Sequence, residues 1–413
     1  MELARQTPGR EGRSSLRWWL AAVIACAVAM PDTLAGQSAL VTDSVSSPGL
    51  ASNVVGDGPV RRVLVYLPPS YPHDPARRYP VLYLLHGVTS VPDEWIDGTY
   101  QGLDLQVTLD SLVTAAAIPE FIVVMPDANN ALEASWYANS RATGNWEDFV
   151  VRDLVRHVDG HYRTDDRAAR RALVGHSMGG FGALAIGFNH PGVFGLVYAI
   201  SPCCIGFVGR LAPSAPAWRA LSAVRRWQDA GQVALFVGLA AALDGSVSNP
   251  RLFDELPFDS REDGTHVLNP AVQARWLARM PPDLASAMVR RGDRQPVVVL
   301  EAGSEESGIL AGIRLLRGRL DSLRIRYDDT IFTGGHIDRV RERFTGKMLP
   351  TVGKWFTREP ESSWLLTTVR RGGSAELPRR ASRPLDQQSG RLSVTAMQLT
   401  GRRVALACAC PAP

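Results

Sequence analysis

The stretch Gly175-His176-Ser177-Met178-Gly179-Gly180 follows the apolar run Ala172-Leu173-Val174 and leads into Phe181-Gly182-Ala183-Leu184-Ala185-Ile186. This reads as a strand, a sharp turn and a helix. It is the pattern of a nucleophile elbow, in which a serine sits in a strained backbone conformation with its hydroxyl exposed. The flanking glycines are needed because a Cβ there would collide with the neighbouring strand and helix. A chain with 37 glycines in 413 residues produces a G-x-S-x-G pentapeptide by accident, so the weight rests on the apolar strand before it and the small-residue helix after it. Ser177 is the candidate nucleophile.

Apolar strand patterns recur along the chain at Val63–Leu67, Val81–Leu85, Phe121–Met125, Ala172–Val174, Leu196–Ile200, Val297–Leu300 and Ile325–Phe332. Amphipathic helices lie between several of them; over 309–323, Ile309, Ile313, Leu316, Leu320 and Leu323 recur at three- and four-residue spacing. Such alternation predicts an α/β fold with a mostly parallel central sheet, helices on both faces and functional loops at the carboxyl ends of the strands. The segment 203–295 breaks the rhythm and is too long for a loop, so it is read as a helical cap or lid inserted into a catalytic domain spanning 37–356. Its tryptophans Trp218, Trp227 and Trp276 are expected to line a substrate pocket, as are Trp136 and Tyr137. The run Val233–Leu243, apolar on all sides, reads as a buried helix.

A serine nucleophile needs a base, and on an elbow of this kind the partners follow in the order serine, acid, histidine. Of eight histidines only His190, His266 and His336 come after Ser177. His190 ends the elbow helix and His266 lies in the irregular insertion. His336 follows a strand through Thr333-Gly334-Gly335, where paired glycines permit a tight turn that aims the imidazole at the top of the sheet. The orienting acid should follow the preceding strand, where Glu301, Glu305 and Glu306 are available; Glu306 is the first choice and Glu305 the second. The backbone N–H groups of Met178 and of Val88, after Leu85-His86-Gly87, are the candidate oxyanion donors.

Composition excludes other classes. With 45% hydrophobic and 21% charged residues the chain is globular. Residues 357–413 hold nine Arg against four acids, so much of the net charge of +4 resides in that stretch and the catalytic body is close to neutral. Nucleic acid is therefore not an expected partner. The stretch 357–413, rich in Ser, Gly and Pro with scattered Arg, is expected to be a disordered basic tail. Arg5, Arg10, Arg13 and Arg17, followed by the apolar run Trp18–Met30 and Thr33-Leu34-Ala35-Gly36, form a signal-peptide pattern over 1–36, so an exported protein without stable membrane insertion is expected. Cys203 and Cys204 are adjacent; neighbouring cysteines rarely bond to one another, and two small buried thiols are at least as natural a reading as pairing elsewhere.

Several further stretches stand in a telling order: Val65-Tyr66-Leu67-Pro68-Pro69-Ser70-Tyr71, Tyr79-Pro80-Val81-Leu82-Tyr83-Leu84-Leu85-His86-Gly87, Pro126-Asp127 with Ser135-Trp136-Tyr137, Asp153-Leu154 with Val158-Asp159, the elbow, His190-Pro191-Gly192-Val193-Phe194 and Gly334-Gly335-His336. From about Val63 to Phe344 the chain resembles the putative-esterase (esterase D-like) family of α/β-hydrolases, which includes feruloyl and other carbohydrate esterases, S-formylglutathione hydrolases, siderophore esterases and mycobacterial mycolyltransferases. The resemblance implies an α/β-hydrolase fold, Ser177 and His336 as nucleophile and base, and the acid three residues after Gly303, which is Glu306 where the family more usually has Asp. It implies a serine carboxylesterase acting on a small-molecule or carbohydrate ester, with no cofactor and no metal. The alternatives are an acyltransferase using the same triad with a sugar or lipid hydroxyl, and a non-catalytic binding protein on the same fold.

Overall fold

The computed structural model describes residues 37–261 and 263–358. The signal peptide expected over 1–36 and nearly all of the tail expected over 357–413 lie outside the described residues. Eight strands form one sheet: β1 Ala39–Ser46, β2 Val60–Leu67, β3 Val81–Leu85, β4 Ile122–Pro126, β5 Arg171–His176, β6 Leu196–Ile200, β7 Val297–Gly303 and β8 Tyr327–Phe332. Their spatial order is β1-β2-β4-β3-β5-β6-β7-β8, with β2 antiparallel to both neighbours and every pair from β4 to β8 parallel. The strands read as continuous apolar runs because both faces are covered. Val81, Tyr83 and Leu85 enter the core on one side, and Leu82 and Leu84 the core on the other.

Register decides where the functional loops emerge. Leu85 lies opposite Gly175, His176 opposite Ile200, Ile200 opposite Glu301, and Gly303 opposite Phe332. The carboxyl ends of β3, β5, β6, β7 and β8 are therefore level. The loops bearing Val88, Ser177, Ser201, Glu306 and His336 leave the sheet along one edge.

Two strand expectations shift for identifiable reasons. β8 begins at Tyr327, not Ile325, because the preceding helix Ser307–Ser322 ends with Arg324 in the left-handed region (φ 57°) and the Ile325 amide donates back to Leu320 O at 2.9 Å. β1 has little apolar signature because Ala-Leu-Val-Thr-Asp-Ser-Val-Ser at a sheet edge buries only Val45 fully.

The segment 203–295 folds into short helices at Ala217–Ala223, Ala234–Asp244, Pro270–Leu277 and Pro281–Arg290, with a small hairpin Phe258–Ser260/His266–Leu268. The apolar helix Ala234–Asp244 is buried, as its run of residues predicts. Around Phe207, the rings of Trp218, Phe258 and Trp276 pack with centroids 5.1–6.2 Å apart. These rings form an aromatic centre in the segment, continuous with the core on that face of the sheet. It is fastened to the body by Arg291 Nη2 donating to Phe188 O (3.0 Å), Arg279 donating to Asn139 O, and Ser140 Oγ donating to Ala241 O (2.5 Å). Among the described residues no helix is long and apolar enough to cross a membrane.

Glycine contributes in opposite ways at two positions. A Cβ on Gly179 would lie 2.2 Å from Leu85 O, a collision with backbone that nothing can relieve. Gly318, on the exposed face of the helix Ser307–Ser322, has nothing within 4 Å. Gly318→Ala is expected to raise unfolding free energy by about 0.5–1 kcal/mol in chemical denaturation. Gly179→Ala should lose several kcal/mol or fail to fold; equal midpoints for the two variants would contradict the packing described.

Candidate active site

Ser177 sits between β5 and the helix Met178–Asn189 with φ 58° and ψ −116°, a conformation that L residues rarely adopt. The surrounding backbone holds it there. Its amide donates to Ile200 O at 2.9 Å, and its carbonyl accepts from the amides of Phe181 (3.0 Å) and Cys203 (3.4 Å). A Cβ at Gly175 would lie 2.0 Å from Gly179 O, so the strand and the first helical turn approach as closely as backbones can.

His336 follows β8, and its ring spans the gap between hydroxyl and acid. Nε2 lies 2.8 Å from Ser177 Oγ, and Nδ1–H donates to Glu306 Oε1 at 2.5 Å. Glu306 is buried, whereas Glu305 is exposed and holds the turn only through its amide on Gly334 O (3.1 Å). Of the two candidate acids, Glu306 is therefore the one brought to the imidazole. Its other oxygen accepts from Ser201 Oγ and from the Gly303 amide, both at 2.6 Å. Burial pushes this carboxyl up, but the hydrogen bond and charge of His336, with the Ser201 and Gly303 donors, outweigh it and hold the group below the usual carboxylate value of 4.5.

The loop carrying His336 is held by groups that do not stand out in the sequence. His176 Nε2–H donates to His336 O at 2.9 Å, and burial together with the neighbouring His336 pushes the His176 imidazole down to about 4, so it stays neutral. Gln101 bridges the far side of the loop, its Nε2 donating to Ile337 O (2.6 Å) and its Oε1 accepting from the Val340 amide (3.0 Å). Asp338 Oδ2 accepts from the Gly335 amide at 2.7 Å. Farther along, Arg343 forms a buried ion pair with Glu301 of β7, and Lys347 lies 3.4 Å from the same carboxylate. His176 carries a signal as part of the elbow, and Glu301 as one of the three candidate carboxylates, though it pairs with Arg343 and not with His336; Gln101 and Ser201 are ordinary loop residues whose partners are distant in sequence.

The candidate oxyanion donors belong to two stretches that adjoin Ser177. Met178 is the first helical residue, and a Cβ at Gly87 would lie 3.4 Å from Ser177 Cβ, so the 86–88 turn runs against the serine. That turn is fixed by His86, whose Nε2 accepts from the Ala128 amide (2.9 Å) while Nδ1–H donates to Gly87 O (2.8 Å). The Tyr137 hydroxyl donates to His86 O at 3.0 Å.

The expected pocket aromatics are placed otherwise. Trp136, Tyr137, Trp218 and Trp276 have no exposed surface. Trp136 packs edge-on against Phe181 and its amide meets Met178 Sδ at 3.3 Å; Tyr137 fills the space beside Gly182, where a Cβ would approach its ring to 2.6 Å. Trp218 and Trp276 belong to the core of the insertion, and Trp227 is half-buried in a turn where its amide donates to Pro250 O. Large aromatic side chains gain more from complete burial than from exposure at a rim, and that preference decides their positions. Among the described residues no three His, Cys, Asp or Glu side chains come together as a metal site.

The lowered Glu306 carboxyl has a consequence for acid stability. Because the folded state favours the carboxylate, its contribution is present in full above the unfolded value and is lost as pH falls through the folded one. The stability difference between wild type and Glu306→Gln, followed by denaturant unfolding, should therefore shrink between about pH 6 and pH 3. Ser201→Ala should cost about 1–2 kcal/mol near neutrality. A difference that stays constant across that pH range would count against the carboxylate described.

Comparison with known proteins agrees with this architecture. Residues 58–247 match the family described as putative esterase. The esterase Rv1288 of Mycobacterium tuberculosis is 29% identical over 296 residues, covering 67% of this chain and 52% of its own. The chain thus spans about half the length of that curated relative. A solved ferulic acid esterase superposes with a TM-score of 0.53 at 21% identity, covering 78% of this chain and 99% of its own. The fluorophosphonate-binding serine hydrolase FphF of Staphylococcus aureus superposes with a TM-score of 0.52 at 15% identity over 78% and 100%. Residues 58–247 are thus similar to the putative esterase family, and the fold of the chain is that of an α/β-hydrolase.

Proposed function

We propose that this protein is a serine carboxylesterase that cleaves esters through an acyl-enzyme on Ser177. The observation that carries the reading is the unbroken hydrogen-bonded path from Ser177 Oγ through both ring nitrogens of His336 to a buried Glu306. In this mechanism His336 Nε2 takes the hydroxyl proton as Oγ attacks the ester carbonyl. Glu306 holds the Nδ1–H tautomer and stabilises the imidazolium that forms. The Met178 and Val88 amides receive the developing oxyanion, and the imidazolium returns its proton to the departing alcohol. Water then attacks the acyl-enzyme with His336 again as base. The mycobacterial relative is named an esterase, which supports the reaction class.

Within the same proposal, residues 1–36 direct export and the insertion 203–295 borders the acyl site. Fastened as it is to the 134–142 loop beside Met178, the insertion is suited to shaping the acyl group admitted.

Ser177→Ala and His336→Ala should each lower kcat/KM for a small aryl ester by on the order of 10³-fold or more with the fold intact, because members of such a unit act together. Glu306→Gln should cost about 10³-fold in kcat, and Glu305→Gln little. Wild-type turnover by folded Ser177→Ala would refute the assignment. An added alcohol acceptor that diverts most of the acyl group from water, read as ester product, would point to acyl transfer instead of hydrolysis.

A further inference from the structure

The loop leaving β6 holds a pair of thiols that the proposed reaction does not use. Cys203 and Cys204 both keep part of their surface exposed, and Cys204 occupies the left-handed region at φ 62°. Their sulfurs are 3.0 Å apart, closer than two non-bonded sulfurs ordinarily rest. The same short loop touches the site twice. Ser201 Oγ donates to Glu306, and the Cys203 amide donates to Ser177 O. Pro202, between them, packs where a Cβ on Gly180 would approach it to 3.1 Å, so the loop has little freedom to move without disturbing the elbow helix.

We propose that Cys203 and Cys204 form a reversible vicinal disulfide, a redox modification site coupled to Ser177. The oxidant is a low-molecular-weight disulfide. One cysteine thiolate attacks it and releases a small thiol, leaving a mixed disulfide on the protein. The second thiolate attacks the protein-bound sulfur and releases the other small thiol. The two cysteines lose two protons and two electrons; the reagent gains both and leaves as two thiols. Adjacent Cα atoms are about 3.8 Å apart, against about 4.4–6.8 Å across ordinary disulfides. The closed ring is therefore more readily reduced than a structural bridge, as a switch requires. Its closure must turn the 203–204 backbone, which carries the amide held by Ser177 O.

The formation of the bond stands apart from the esterase reading; its effect on hydrolysis rests on it. The full-length protein, treated with excess hydroxyethyl disulfide and quenched with N-ethylmaleimide, is digested with trypsin, which releases both cysteines in peptide 172–210. That peptide should carry no maleimide and weigh two hydrogens less than its reduced form, and dithiothreitol should restore two alkylation sites. Aryl ester hydrolysis should fall on the order of tenfold in the oxidised protein and recover on reduction. Two maleimides on the peptide after oxidation, a persistent reagent adduct, or a bridge to another cysteine or another chain overturns the proposal. So does an unchanged rate in a fully closed sample. A reduced protein that hydrolyses no ester instead overturns the esterase reading, and the mass map then decides the disulfide by itself.

Discussion

The site depends on how closely three pieces of backbone approach one another. β5, the helix Met178–Asn189 and the end of β3 meet with carbonyls only about a methyl group from Gly175 and Gly179, and the serine between those glycines takes the positive φ that the crossing imposes. A relaxed serine at that turn would join a longer loop and lie away from His336. The strain at Ser177 is local, and it persists because the level strand ends on either side leave the chain no other path. The amide of the strained residue is not left idle, since it completes the ladder to Ile200.

Around that crossing the polar groups are arranged so that one carboxylate is satisfied completely. Glu306 has lost its water, and three donors replace it: a ring N–H, a hydroxyl and a main-chain amide. A buried acid supplied in this way keeps its charge, and a charged acid fixes which nitrogen of His336 carries the proton. The arrangement also explains why glutamate serves at this position. The turn after β7 places the residue at the start of a helix, and the longer side chain spans the distance to the imidazole.

Much of this is legible in the amino-acid sequence. Strands of β-branched and aromatic residues set between amphipathic helices betray a sheet covered on both faces, and Gly-x-Ser-x-Gly in that context betrays the turn. The order of residues after Ser177 leaves few histidines to choose from. What stays hidden is the set of relations between side chains far apart along the chain. Gln101 and the 337–340 loop are separated by more than two hundred residues, and nothing local to Gln101 advertises its partner. Ser201 is one serine among many until the register of β6 and β7 sets it beside Glu306. The aromatic residues mislead for a different reason. Composition shows that a tryptophan will be buried in apolar company, but not whether that company is a ligand or the protein itself; here Phe207 and Phe258 already surround Trp218 and Trp276.

The Gln101 bridge takes hold of main-chain atoms alone, the Ile337 carbonyl and the Val340 amide. Any residue other than proline at 340 presents the same amide, and any residue at 337 the same carbonyl. The alignment of His336 is thus indifferent to the side chains at Ile337 and Arg339, both of which face solvent beside it. Ile337 can be exchanged for a larger, smaller or charged residue while the proton path stays as it is, whereas position 339 must also tolerate a left-handed backbone at φ 58°. The exposed side chain at 337 and the relay can be inherited as separate traits.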